Sequence, residues 1–237
     1  MRSNLFTAES QPVLSEQRWA KQNDQAIRVG LGPDILATKG AMTSYRGQLA
    51  FHHEKSGGMA KLAKKIVTSE DVSLMRVSGQ GEVWFGQDAG YVYTIDLENE
   101  GVSLNVRNLL AFDATLAWDI KRIKGAGIMA GNGLFNTTVT GSGTVAVSVV
   151  GKPVLFDCSA APVAVDPNAT VLWSSHLTPS INNSMNMSSA LRGGSGEAIQ
   201  YVFHGPGFVL VQAYEWKPVE EESKGGGIIG NALDLFS

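Results

Sequence analysis

Four histidines, one cysteine and a serine-rich run are the residues of this 237-residue chain best suited to catalysis, and spacing argues against each in turn. A metal site inside a β-barrel needs closely spaced histidines, such as H-x-H, with a carboxylate and a later histidine. His52 and His53 are adjacent, so in a strand they project to opposite faces, while His176 and His204 lie far along the chain. No G-x-S-x-G elbow occurs, and the run from Ser180 to Ser189 has no histidine that spacing places beside it. The single Cys158 excludes an intrachain disulfide and a cysteine-based zinc site, and its default reading is a buried, inert thiol. The glycine-rich loops fail as phosphate cradles. Gly79-Gln80-Gly81 opens a strand and lacks the third glycine of the dinucleotide fingerprint, and Gly151-Lys152 is followed by Pro153 instead of Ser or Thr. No catalytic, cofactor-binding or metal-ligating residue is therefore assigned, and the chain reads as non-enzymatic, the alternative being an enzyme with a polar pocket at a barrel mouth.

The remaining candidate surface is basic. Between Gly57 and Val67, Met59, Leu62, Ala63 and Ile66 recur at helical spacing, while Lys61, Lys64 and Lys65 lie away from them. This predicts one short helix capping an end of a β-structure, with the three lysines as an interaction patch for an acidic partner or a membrane surface. Lys121, Arg122 and Lys124 follow Trp118, the cation and aromatic pairing that RNA stacking uses. Asp113 and Asp119 interrupt that cluster, and the net charge is −3 with a pI near 5.8, so nucleic acid is disfavoured as a partner. Met1 to Arg18 carries no continuous apolar segment of the kind a signal peptide or anchor requires, which leads to an expected cytoplasmic location.

The elements that must position any site are strands. Only 17% of residues are charged, 43% are hydrophobic, and 27 glycines punctuate short apolar runs. Tyr91, Tyr93, Ile95 and Leu97 alternate, as do Val102, Leu104 and Val106, then Val145, Val147 and Val149, so each set lines one face of a strand. Leu109 to Phe112 is continuous and reads as buried on both faces. Three domains of behaviour follow: an N-terminal arm at 1–26, a β domain at 27–217, and a flexible tail at 218–237 that opens on Glu220-Glu221-Glu222.

Self-similarity organises the β domain. Gly79-Gln80-Gly81-Glu82-Val83, Gly141-Ser142-Gly143-Thr144-Val145 and Gly205-Pro206-Gly207-Phe208-Val209 share the form G-x-G-x-V and start 62 and 64 residues apart. Leu104 to Phe112 matches Val163 to Trp173 with Leu110 on Leu172, again 62 residues on. Two glycines flanking one residue permit positive φ and close backbone approach, so Gly79, Gly81, Gly141, Gly143, Gly205 and Gly207 are read as structural corners. They are expected at equivalent places about one pseudo-three-fold axis.

On Gly133–Val145, Leu104–Ile120 and Lys64–Leu74, the chain resembles the AIM24 family, also known as DUF124, from about Ile27 to Trp216. The resemblance implies an all-β, pseudo-three-fold barrel of the TRAP-like or double-stranded β-helix kind, with no established enzymatic activity. The expectation is a scaffold or binding module, without a cofactor, that associates with copies of itself as a closed oligomer such as a trimer. Its other protein partners are unknown, and peripheral membrane contact through the lysines is a secondary expectation.

Overall fold

The computed structural model describes residues 1–54, 73–123, 135–183 and 199–216. The predicted helix at Gly57–Val67 and the tail at 218–237 lie outside them. Within them the chain is all-β, with β1 (Trp19–Asn23), β2 (Ala26–Leu31), β3 (Ile35–Thr38), β4 (Met42–His53), β5 (Leu74–Phe85), β6 (Tyr91–Leu104), β7 (Leu109–Asp113), β8 (Ala117–Arg122) and β9 (Phe135–Val149). The last third adds β10 (Val154–Asp157), β11 (Val163–Val165), β12 (Thr170–Ser174), β13 (Ser180–Asn183), β14 (Ile199–Phe203) and β15 (Phe208–Val211). All pairings are antiparallel.

Two long strands act as spines. β5 is flanked along its length by β4, while β3 and β2 share its other side at Leu74–Val77 and Gly81–Phe85. β9 is flanked along its length by β6, while β8 and β7 divide its other side. β14 and β15 form a third, interrupted line: β14 lies between β11 and β13, and β15 lies between β10 and β12. In each case the neighbour changes at a G-x-G pair, and all six of those glycines have φ between +112° and +153°. That backbone admits glycine readily and other residues only under strain. Space is equally restrictive, because a Cβ on Gly81 would meet the Arg46 carbonyl oxygen and one on Gly79 the Gln48 carbonyl oxygen.

The large sheet runs β1-β2-β5-β3-β7-β9-β6-β12-β15-β10, with β4 on β5 and β8 on β9, and a smaller sheet runs β11-β14-β13. The expected closed barrel is therefore corrected: among the described residues the path ends at β1 and β10 and does not return on itself. The physical reason is that β10 pairs only with β15, and all four of its residues are exposed, including Leu155 at 63%. Its outer edge meets no further strand among the described residues.

The alternation of apolar residues locates the strands but not always their faces. β7 is buried throughout, as its continuous apolar run predicts. β9 carries both faces inward in its second half, since Ala146 is as buried as Val145 and Val147. Tyr93, expected on a core face, is exposed, whereas Val92 is buried. Val106 does not extend β6; it opens a 3-10 turn whose Asn105 side chain accepts a hydrogen bond from the Arg107 N–H.

Charge holds the N-terminal arm down. Asp113, 7% exposed, accepts from Arg18 Nη1 at 2.5 Å, from Trp19 Nε1 at 3.3 Å and from the Thr144 N–H at 2.8 Å. The nearly buried Arg28 donates to the Gln17 and Ser15 carbonyls and, through Nε, to Glu82 Oε1 at 2.8 Å. Arg46 donates to the other Glu82 oxygen. Burial opposes ionisation of Glu82, but hydrogen bonds and charge from Arg46 and Arg28 outweigh it and hold the carboxyl below its ordinary 4.5.

Two outcomes follow. Gly81→Ala combines a positive φ with a backbone clash and should cost more stability than Gly40→Ala, which has φ +93° but open space around it. Urea unfolding should place Gly40→Ala within the roughly 1–3 kcal/mol of backbone strain and Gly81→Ala beyond it. A depressed carboxylate stabilises the fold above its unfolded pKa and loses that contribution as pH falls through its folded value. Glu82→Gln should therefore lower stability by about 1–3 kcal/mol at neutral pH. Melting temperatures read from pH 7 to 3 should show that deficit shrinking below pH 4.5.

Candidate functional site

Among the described residues a concavity lies where β6, β9, β12 and β15 meet. Its volume is about 670 Å³, within the range of small-ligand sites. Ile95, Leu97, Val102 and Phe208 give it apolar walls, and Asn99, Glu100, Thr140, Ser175 and His176 give it a polar rim.

Local strand defects build that rim. The β6–β9 register shifts between Glu98 and Glu100, leaving Asn99 as the extra residue at φ +60° with its N–H on Ser142 Oγ at 3.0 Å. A bulge re-aims neighbouring side chains, here at the mouth of the cavity. Gly101 follows, and a Cβ there would displace the Ser175 and Thr140 side chains, since it would meet Ser175 Oγ at 2.5 Å and Thr140 Cγ2 at 2.6 Å. The Gly101 carbonyl accepts from the Ser175 N–H at 2.9 Å, fixing the chain just before His176. His176 Nε2 lies 2.6 Å from the Pro206 carbonyl oxygen, which can only accept, so this nitrogen is the donor. The Gly205–Gly207 corner is thus tied to the cavity rim. Ser174 Oγ is occupied as the acceptor for the Phe208 N–H at 3.1 Å.

This arrangement suits capture of an amphipathic small molecule: an apolar body against Leu97 and Phe208, and a polar end beside Glu100 and His176. Among the described residues no group of three or more His, Cys, Asp or Glu side chains could hold a metal ion. His52 and His53 are exposed at the end of β4, and His204 is exposed before Gly205, so only His176 lines the cavity. Cys158 is fully buried; burial, with Asp157 nearby, pushes its thiol up and keeps it in the unreactive form.

Lys61, Lys64 and Lys65 lie outside the described residues, as do Lys124 and the end of the serine run. The six corner glycines are placed at the neighbour changes described above, with Gly141 also lining the cavity. Asp113 serves the N-terminal clamp. Apart from the corner glycine Gly141 and His176, the latter weighed only as a metal ligand, the polar residues of the cavity were not singled out by sequence. The signal that points to them is Asn99-Glu100-Gly101 interrupting two apolar alternations, which marks a bulge within one strand.

Among the described residues no helix is long and apolar enough to cross a membrane. The family model described as Mitochondrial biogenesis AIM24 matches residues 19–214. Among curated protein sequences, none matches the chain. The X-ray crystal structure of a protein from Streptococcus pyogenes is similar in fold, with a TM-score of 0.66 and 18% sequence identity, over 83% of this chain and 92% of that one.

If the cavity is open to ligand, an amphipathic dye such as 8-anilinonaphthalene-1-sulfonate should gain fluorescence with the wild-type protein. Ala117→Trp, which places an indole in the cavity wall, should reduce that gain at least several-fold, measured by titration at constant protein concentration.

Proposed function

The chain belongs to the AIM24 family, and from that premise we propose that it is a non-catalytic β scaffold that associates with copies of itself. The observation that carries this reading is the end of the large sheet: Val154, Leu155 and Phe156 are 53%, 63% and 40% exposed on a strand with one edge unpaired among the described residues. A flat apolar edge of this kind is a template for further strand pairing, and an isolated chain that kept it in water would be prone to uncontrolled aggregation. Ordered self-association covers it.

The finer architecture in this proposal is three related units arranged about a pseudo-three-fold axis, each built on one G-x-G corner. The common positive φ at the corners and the change of neighbouring strand at each support it. A trimer is the closed order that such a scaffold fits. Size-exclusion chromatography with light scattering should find an oligomer at micromolar concentration, and a strictly monomeric protein there sinks the reading.

A second reading is favoured by one observation: Glu100 and His176, two titratable side chains, line the same cavity. Under it the chain binds, or acts on, a small amphipathic molecule at that mouth. Contact with RNA has weaker support, since Arg18 and Arg46, each near a tryptophan ring, are held in ion pairs with Asp113 and Glu82.

A further inference from the structure

The sheet contains two strand junctions with the same register, and two edges that match them without being joined. β3 lies on β7 with Leu36 opposite Phe112, and β6 lies on β12 with Ser103 opposite Trp173. β7 and β12 hold the same place relative to their spines. Phe112 pairs with Val145 and Trp173 with Val209, each the fourth residue after the first corner glycine. Each strand also carries a register shift just before that residue, at Leu109/Ala111 and Thr170/Leu172. β4 repeats both features: Tyr45 pairs with Val83, the fourth residue after Gly79, and the register shifts at Met42/Ser44.

Burial breaks the pattern. Every residue of β7 and β12 is buried, whereas β4 is largely exposed and Tyr45 stands at 52%. The cause is a missing neighbour, since among the described residues β4 pairs with β5 alone. The strand that should cover it is equally identifiable. β3 and the end of β6 pair with their spines at the second to fourth residues before the corner glycine, and β11 pairs with β14 at the same three places. Among the described residues β11 is in turn unpaired on its outer side, and Ala164, the counterpart of buried Leu36 and Ser103, is exposed.

We infer that the Met42–Arg46 edge of one copy receives the Val163–Val165 strand of a second copy, antiparallel, with Tyr45 opposite Ala164. The inference rests on the self-association reading and adds to it a contact separate from the β10 edge. The occupant is specified by the chain's own repetition: at both existing junctions a short strand segment lies on this edge with its middle residue opposite the aromatic ring, and β11 supplies Val-Ala-Val in that register. Because the two edges differ, the contact is heterologous and builds a ring where the rotation closes. Backbone hydrogen bonding sets the register, and the Tyr45 ring, left in water by the single chain, is covered.

Directly opposed residues of antiparallel strands have Cα atoms about 4.5–5.5 Å apart, within disulfide reach. The test uses the full-length chain carrying Tyr45→Cys alone and Ala164→Cys alone, both exposed positions, with Cys158 retained because it is buried. Under mild oxidation the mixture should give a disulfide-linked dimer on a non-reducing gel, and neither variant alone should. The double variant should give linked multimers. Three results overturn the inference: no linked dimer from the mixture while the wild type is oligomeric by light scattering, a dimer from one variant alone, or an internally linked monomer from the double variant. A wild type that is monomeric by light scattering removes the self-association reading itself, and this inference with it.

Discussion

The whole sheet depends on the positive-φ backbone of the corner glycines. At Gly79 and Gly81 the carbonyl oxygens of β4 occupy the space a side chain would need, and at Gly143 the Asp113 side chain comes to 3.1 Å of an added Cβ. A continuous strand can leave one set of neighbours and enter another only if it turns sharply without breaking its ladder on the far side. β5 and β9 do so across the corner, with β4 and β6 following them along their whole length. Positive φ is the backbone condition for that turn, and glycine meets it at least strain.

The turn explains why the core divides into three clusters that touch different parts of the same strands. Val145 and Val147 pack with Leu104, Phe112 and Leu172, while Ala146, between them on the opposite face, packs with Phe85, Val29 and Ile35. The third cluster gathers Trp173, Tyr201 and Phe203, with Trp173 and Phe203 ring centroids 5.3 Å apart and the indole N–H donated to the Leu177 carbonyl. A few polar groups are carried inside with these apolar faces. Asn108 is fully buried and donates to Ser148 O and Gln212 Oε1, tying β15's end to the turn before β7.

Much of this was legible before any coordinates. Repetition of G-x-G-x-V located the three corners, and the continuous run Leu109–Phe112 located a strand buried on both sides. What sequence could not give was which faces are covered by neighbours distant in the chain. Tyr93 and Val92 share a strand with conventional alternation, yet tertiary packing buries the valine and leaves the tyrosine out. The open ends were hidden for the same reason, since Val154 to Phe156 has the composition of an inner strand. The cavity escaped notice because its polar rim comes from residues separated in sequence, brought together by one bulge in β6 and by the Gly205–Gly207 corner.

The N-terminal clamp has a consequence in time. Arg18 finds its carboxylate on Asp113, 95 residues later. A ribosome adding about 5–20 residues per second therefore presents the first strand to the cell for roughly 5–20 seconds before its anchor has been made. During that interval Trp19 has no indole partner, and β2, whose register is set by Gly81–Phe85, waits for β5. The first segment is thus secured only once the middle of the chain has been made.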